Sequence, residues 1–67
     1  MKAFATADDL SARWRTLSDT ERTRAEVLLG AASRRVVATA PGWVDADPDL
    51  LTDIVCSMVK RAMSSPD

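Results

Sequence analysis

Apolar residues recur along this chain at spacings of three and four, the repeat of one helical face, and nowhere keep up the two-residue alternation of a half-buried strand. Leu10, Trp14 and Leu17 form the first such line. Ala25, Leu28, Leu29, Ala32, Val36 and Ala40 form the second, and Leu51, Ile54, Val55, Met58 and Ala62 the third. The pattern predicts an all-α chain: a small three-helix bundle with helices at about 7–15, 19–40 and 48–63, in one domain spanning 1–67.

Each predicted helix has a start signal. Thr6 is followed three residues later by Asp9, a relative of the capping box, and Asp8 and Asp9 set negative charge on the positive end of the first helix. Phe4 stands where it can cover that start. Ser18 and Glu21 form a full S-x-x-E box, so the second helix begins there and meets no strong stop before Pro41-Gly42. At 1.5 Å per residue it is a rod of about 30 Å, the long central element. Asp47-Pro48 offers an acceptor at the cap and a proline where its missing N–H does no harm. Lys60 and Arg61 suit the carboxyl end of the third helix, and Ser64-Ser65-Pro66 ends it. Between the second and third helices, PGWVDA reads as a short loop whose Trp43 folds back as a lid.

These stripes nominate an intrachain core of Leu10, Trp14, Leu17, Leu28, Leu29, Val36, Ile54, Val55 and Met58. Trp14 lies between Arg13 and Arg15, which could read as a grip on nucleic acid. Its spacing from Leu10 and Leu17 turns it inward instead, with the two arginines about 100° to either side, stems covering the stripe and guanidinium groups wet.

Some apolar surface is left over. Val27, Ala31, Arg34 and Ala38 form a weaker line nearly opposite the main stripe of the second helix. On the third helix, Val59, Met63 and Cys56 widen the apolar arc past a single core-facing stripe, leaving only Asp53, Ser57, Lys60 and Arg61 polar, with Thr52 at the margin. A helix of that kind needs cover on more than one side. Val27, Ala31, Arg34, Arg35, Val59 and Met63 are therefore the expected contact residues toward another subunit or a partner.

Length sharpens this expectation. A chain of 67 residues buries only about 60% of its unfolded surface, and domains this small usually lean on disulfides, a metal or association. One cysteine and no histidine make an intrachain disulfide impossible and a zinc site abnormal, which leaves association. The net charge of −1 argues against a general polyanion binder. Its distribution is uneven: residues 1–35 carry seven Lys/Arg against five acids, and residues 36–67 carry two against five. A basic half and an acidic half permit head-to-tail binding between copies. A chance distribution is the competing reading.

Chemistry is sparse. The commonest general base is missing, and no Ser-His or Cys-His pair exists to activate a nucleophile. Cys56 reads as a small buried hydrophobe rather than a thiolate activated by Lys60 one turn on. Two isolated glycines make no phosphate loop, and Asp45, Asp47 and Asp49 lack the glycine and the terminal glutamate of a calcium loop. No enzyme, cofactor or metal is expected. A recognition helix should be polar and basic toward the groove, whereas the third helix is mostly apolar and opens with Asp49 and Asp53, so sequence-specific DNA reading is not expected. No run approaches the roughly 20 apolar residues of a membrane span, and no signal peptide precedes Asp8 and Asp9, so a soluble intracellular protein with no membrane partner is expected.

The order of motifs adds a resemblance. ATADDLSARWRTLSDTERTRAEVLLGAAS, followed after a loop by IVCSMVKRAMSSP, resembles the head-to-tail connector, or adaptor, proteins of long-tailed bacteriophages. It spans almost the whole chain and is most specific in the paired phrases D-L-x-x-R-W-R-x-L and V-C-x-M-V-K-R-A. The resemblance implies a non-enzymatic virion protein at the head-tail junction, assembled in the bacterial host cytoplasm. Such adaptors form a twelve-fold ring beneath the portal, contact the next neck or tail protein, and line the channel through which double-stranded DNA passes without sequence-specific contact. The matching positions Leu10, Trp14, Leu17, Leu28, Leu29, Val55, Met58 and Ala62 are packing positions. Relatives commonly continue into an extended tail that docks on the portal. Here the sequence stops at Asp67, so either the chain is short or that tail lies beyond the given residues. The alternative is a small helical DNA-binding regulator or antitoxin-like protein.

Overall fold

The three start signals become three α-helices in the computed structural model of the chain, which describes residues 3–64. They are α1 (Ala7–Arg13), α2 (Asp19–Thr39) and α3 (Pro48–Ser64), with a 3-10 helix at Pro41–Asp45 between the last two. The described residues are all helix, turn and loop, packed as a small three-helix bundle around the long α2.

Cap chemistry explains where each helix begins. At α1 the Thr6 hydroxyl accepts from the Asp9 N–H at 3.2 Å, and the Asp9 carboxylate accepts from the Thr6 N–H at 2.9 Å, so the box is reciprocal. Ser18 and Glu21 repeat the arrangement at α2, at 3.2 and 2.9 Å. At α3 the Asp47 carboxylate accepts from the Asp49 N–H at 2.9 Å. Each box satisfies backbone donors that a helix start leaves orphaned.

The first helix is shorter than its apolar line suggests. It ends at Arg13, and Trp14 takes φ −139° and ψ −86°, outside the helical range. Its N–H donates to the Ser11 carbonyl, tightening the last turn, while the Ser11 hydroxyl donates to the Arg15 carbonyl beyond the break. Trp14 to Ser18 then connect α1 to α2, whose cap is Ser18. The second helix ends at Thr39, with Ala40 as its cap, and the third is helical through Ser64, the last described residue. The stop signal at Ser65-Pro66 lies outside the described residues.

The core is a single cluster. Leu10 from α1, Leu29 from α2 and Val55 from α3 are fully buried at its centre, with Leu17, Ala25, Ala32, Val36, Leu51, Cys56 and Val59 around them. Trp14, Leu28 and Met58, expected as core, are half-buried and pack against its edge. Trp43 lies over the N-terminal segment, its ring centroid 5.4 Å from that of Phe4, so the lid expected of it closes on Phe4.

The orientation of α3 corrects the sequence reading. Ile54, placed in the core from the pattern, is 38% exposed, and Ala62 also faces outward. Val59, assigned to the contact set, is 2% exposed inside the bundle, and Met63, assigned with it, packs half-buried against the same core. The buried line is Leu51, Val55, Val59 and Met63, spaced by four. Helices α1 and α2 both pack on α3 and turn this line inward. Ile54 stands one residue, about 100° of helical rotation, away from it. Because apolar residues cover most of the α3 surface, periodicity alone did not choose the sector.

Candidate interaction surface

Between α2 and α3 runs an open groove of about 190 Å³. Ala32 and Val59 form its buried floor, Leu28 and Met58 its half-buried walls, and Ala31, Arg35 and Ala62 its exposed rims. On both sides the apolar surface continues. Val27, one turn before Ala31, is 68% exposed. On α3 the line Leu50, Ile54, Met58 and Ala62, spaced by four, runs outward along the groove, with Leu50 52% exposed. The spacing is visible in the sequence, where Ile54 and Met58 also fit the core-facing stripe.

The contact residues expected from sequence are thus divided by the fold. Val27, Ala31, Arg34 and Arg35 are exposed on α2, and Ala31 and Arg35 border the groove. Val59 supplies the floor from inside the bundle. Leu50 and Ile54 join the exposed apolar face, which the sequence reading missed.

Charge around the groove is one-sided. Arg24 lies one turn before Leu28, Arg61 stands beside Ala62, and Arg35 is on the rim; all three are exposed and make no ion pair among the described residues. Arg34 is likewise exposed without an ion pair among the described residues, whereas Arg13, Arg15 and Arg22 are engaged. Arg13 Nε donates to Asp53 Oδ1 at 2.7 Å, and Arg22 pairs with Asp8 at 2.5 Å. Arg15 donates twice to Glu21, at 3.1 and 2.5 Å, and its guanidinium carbon stands 4.3 Å from the centroid of the Trp14 ring. The Arg15 guanidinium beside it, helped by the Ser18 backbone N–H, holds the Glu21 carboxyl down at about 2. The pair Trp14 and Arg15 is therefore occupied within the chain, closing the turn from α1 to α2.

A second depression, also about 190 Å³, lies between α1 and α3, and the Arg13–Asp53 pair crosses it. Leu10, Trp14 and Cys56 line its apolar part, Ser57 and Lys60 its polar edge. Burial pushes the Cys56 thiol above its ordinary range, against the smaller opposing pull of Arg13. A buried, protonated thiol is a poor nucleophile.

The stretch that joins α2 to α3 carries the opposite charge. Val44, 70% exposed on the 3-10 helix, and Leu50 in the first turn of α3 are flanked in sequence by exposed Asp45, Asp47 and Asp49. The described residues thus present a basic apolar groove at one place and an acidic apolar corner at another. No helix among them is long and apolar enough to cross a membrane. No protein-family model matches this chain, nor does any curated protein or solved structure.

Proposed function

We propose that this chain is a structural, non-enzymatic protein of a bacteriophage head-tail junction. Identical copies form a ring between the portal and the next neck or tail protein, and the ring lines the channel for non-specific passage of double-stranded DNA. The observation that carries the reading is apolar surface left outside a complete intrachain core. Val27 and Ala31 on α2 and Leu50, Ile54 and Ala62 on α3 stay uncovered although Leu10, Leu29, Val55 and Val59 already close the interior. A contiguous exposed apolar face on a soluble domain marks an interaction surface. The paired phrases around Trp14 and Met58 carry the resemblance to that family, and within them Leu10, Leu17 and Val55 are buried packing positions.

The mechanism of such a protein is geometric. Its helices hold a docking face at a fixed angle, and repetition of that face around an axis builds the platform. Mass spectrometry of purified particles, followed by a particle reconstruction, tests the reading. The chain is expected at the head-tail junction, and its absence from particles ends the proposal.

The exposed Arg24, Arg34, Arg35 and Arg61 favour a second reading, a small helical DNA-binding regulator. That reading requires sequence-selective duplex binding with steep salt dependence. A gel shift showing only weak, sequence-blind retention removes it.

A further inference from the structure

We propose that the groove between α2 and α3 receives the Val44–Leu50 corner of a second copy of this chain. The inference rests on the reading of the chain as a repeated subunit and names the contact that repeats it.

Three observations converge on that occupant. The groove is apolar inside with Arg35 on its rim; Arg24, one turn before Leu28, and Arg61, next to Ala62, are exposed on the two helices that form it, and none of the three has an ion-pair partner among the described residues. The corner has the complementary character: two exposed aliphatic side chains, Val44 and Leu50, set among Asp45, Asp47 and Asp49. Size also agrees, since the groove measures about 190 Å³, and a cavity of about 150 Å³ already takes a benzene-sized group. Leucine is a fitting knob for such a hole.

A chain cannot satisfy its own groove. Leu50 and Ala62 lie on one continuous helix, so their backbones are held about 18 Å apart at 1.5 Å per residue. The corner must therefore fill the groove of another copy. Two grooves facing each other would set Arg35 against the same residue of the partner, and like charges placed together across an interface are penalised. Groove-to-corner docking instead brings opposite signs together and leaves a free groove at one end and a free corner at the other. Such a heterologous contact propagates until it closes on itself.

Sedimentation tests this with the intact chain and two variants at exposed positions. The groove variant carries Ala31→Glu and Ala62→Glu; the corner variant carries Val44→Ser and Leu50→Ser. Far-UV circular dichroism establishes that each is folded. The native chain is expected to associate as its concentration rises into the millimolar range, less so in high salt. Each variant alone is expected to associate at least about tenfold more weakly. Mixed together, they retain one good junction, groove of the corner variant to corner of the groove variant, and should stop at a 1:1 dimer. A native chain that stays monomeric throughout overturns the contact, as does a mixture that forms no dimer, or variants that associate like the native chain. If a variant does not fold, association of the native chain that salt leaves unchanged still overturns the contact. A chain absent from virions defeats the adaptor reading and leaves these solution results standing; a monomer found in virions defeats the contact alone.

Discussion

The backbone N–H of Phe4 donates to the hydroxyl of Ser33 at 2.9 Å, across 29 positions of the chain, and the Ser33 hydroxyl donates in turn to the Leu29 carbonyl at 2.7 Å. Ser33 is fully buried, the one polar residue so placed among those described. The carbonyl of Phe4 accepts from Thr52 on α3 at 2.8 Å, so one residue ties the N-terminal segment to both long helices. Every buried side-chain nitrogen and oxygen among the described residues has a partner, which makes this link a specific point of failure.

Ser33→Ala should therefore destabilise the fold by about 1–2 kcal/mol, because a part-buried N–H loses its acceptor. Urea denaturation measures the loss, and amide exchange at Phe4 should accelerate beyond the global change. Unchanged protection at Phe4 would show that the link is unimportant.

The rotation of α3 can be checked by a pair of truncations. Val59→Ala removes a buried methyl pair and should cost about 2 kcal/mol. Ile54→Ala removes a larger side chain from a partly exposed site and should cost less than about 1 kcal/mol. The reverse order in thermal or urea melts would mean that α3 presents the other face to the core.

Gly30 occupies a helical position in α2 at which an added Cβ meets only the Arg34 guanidinium, at 3.5 Å. Gly30→Ala should raise stability by about 0.5–1 kcal/mol, since alanine loses less backbone freedom on entering a helix. A drop in the urea midpoint would reveal a clash that this geometry does not contain.

Acid should weaken the turn between α1 and α2. The Glu21 carboxyl titrates at about 2 in the fold against an ordinary 4.5, chiefly through Arg15 and then through the Ser18 N–H. A lowered folded value means that the contribution is complete above the ordinary value and is lost as pH falls toward the folded one. The stability advantage of the native chain over Glu21→Gln should therefore shrink between about pH 5 and pH 2. Paired unfolding curves across that range measure it, and a pH-independent difference would exclude the linkage.

Cys56 should resist thiol reagents. Its side chain is buried and its thiol is pushed up, so little thiolate exists near neutral pH. Labelling with a chromogenic disulfide at mildly alkaline pH is expected to be slow in the folded protein and rapid in urea. Equal rates in the two states would place the sulfur at the surface.

Much of the architecture was legible before any coordinates. Thr6 with Asp9, Ser18 with Glu21 and Asp47 with Pro48 each act over two or three residues, and all three helices begin where these signals stand. Leu10 and Leu29 follow in the same way, because helical spacing puts them within their stripes, and Val55 is buried at the edge of its own. Ser33 escaped notice: a serine on the margin of an apolar face announces nothing until Phe4, 29 positions earlier, comes to rest on it. The groove was half visible, through the small residues of α2, but its other wall was assigned to the wrong sector of α3.

By itself the sequence determined helix number, helix starts and the class of residue on each stripe, since caps and periodicity are short-range properties carried by neighbours along the chain. Tertiary structure alone decided that Val59 and Met63 turn inward, that Ile54 turns out, that α1 stops at Arg13, and that Arg35 borders the groove unpaired among the described residues while Arg13 finds Asp53. Those outcomes depend on where three helices come to rest against one another. An α3 apolar over most of its circumference can bury several alternative faces at similar cost, so its rotation is settled only by the shapes of α1 and α2 packed beside it.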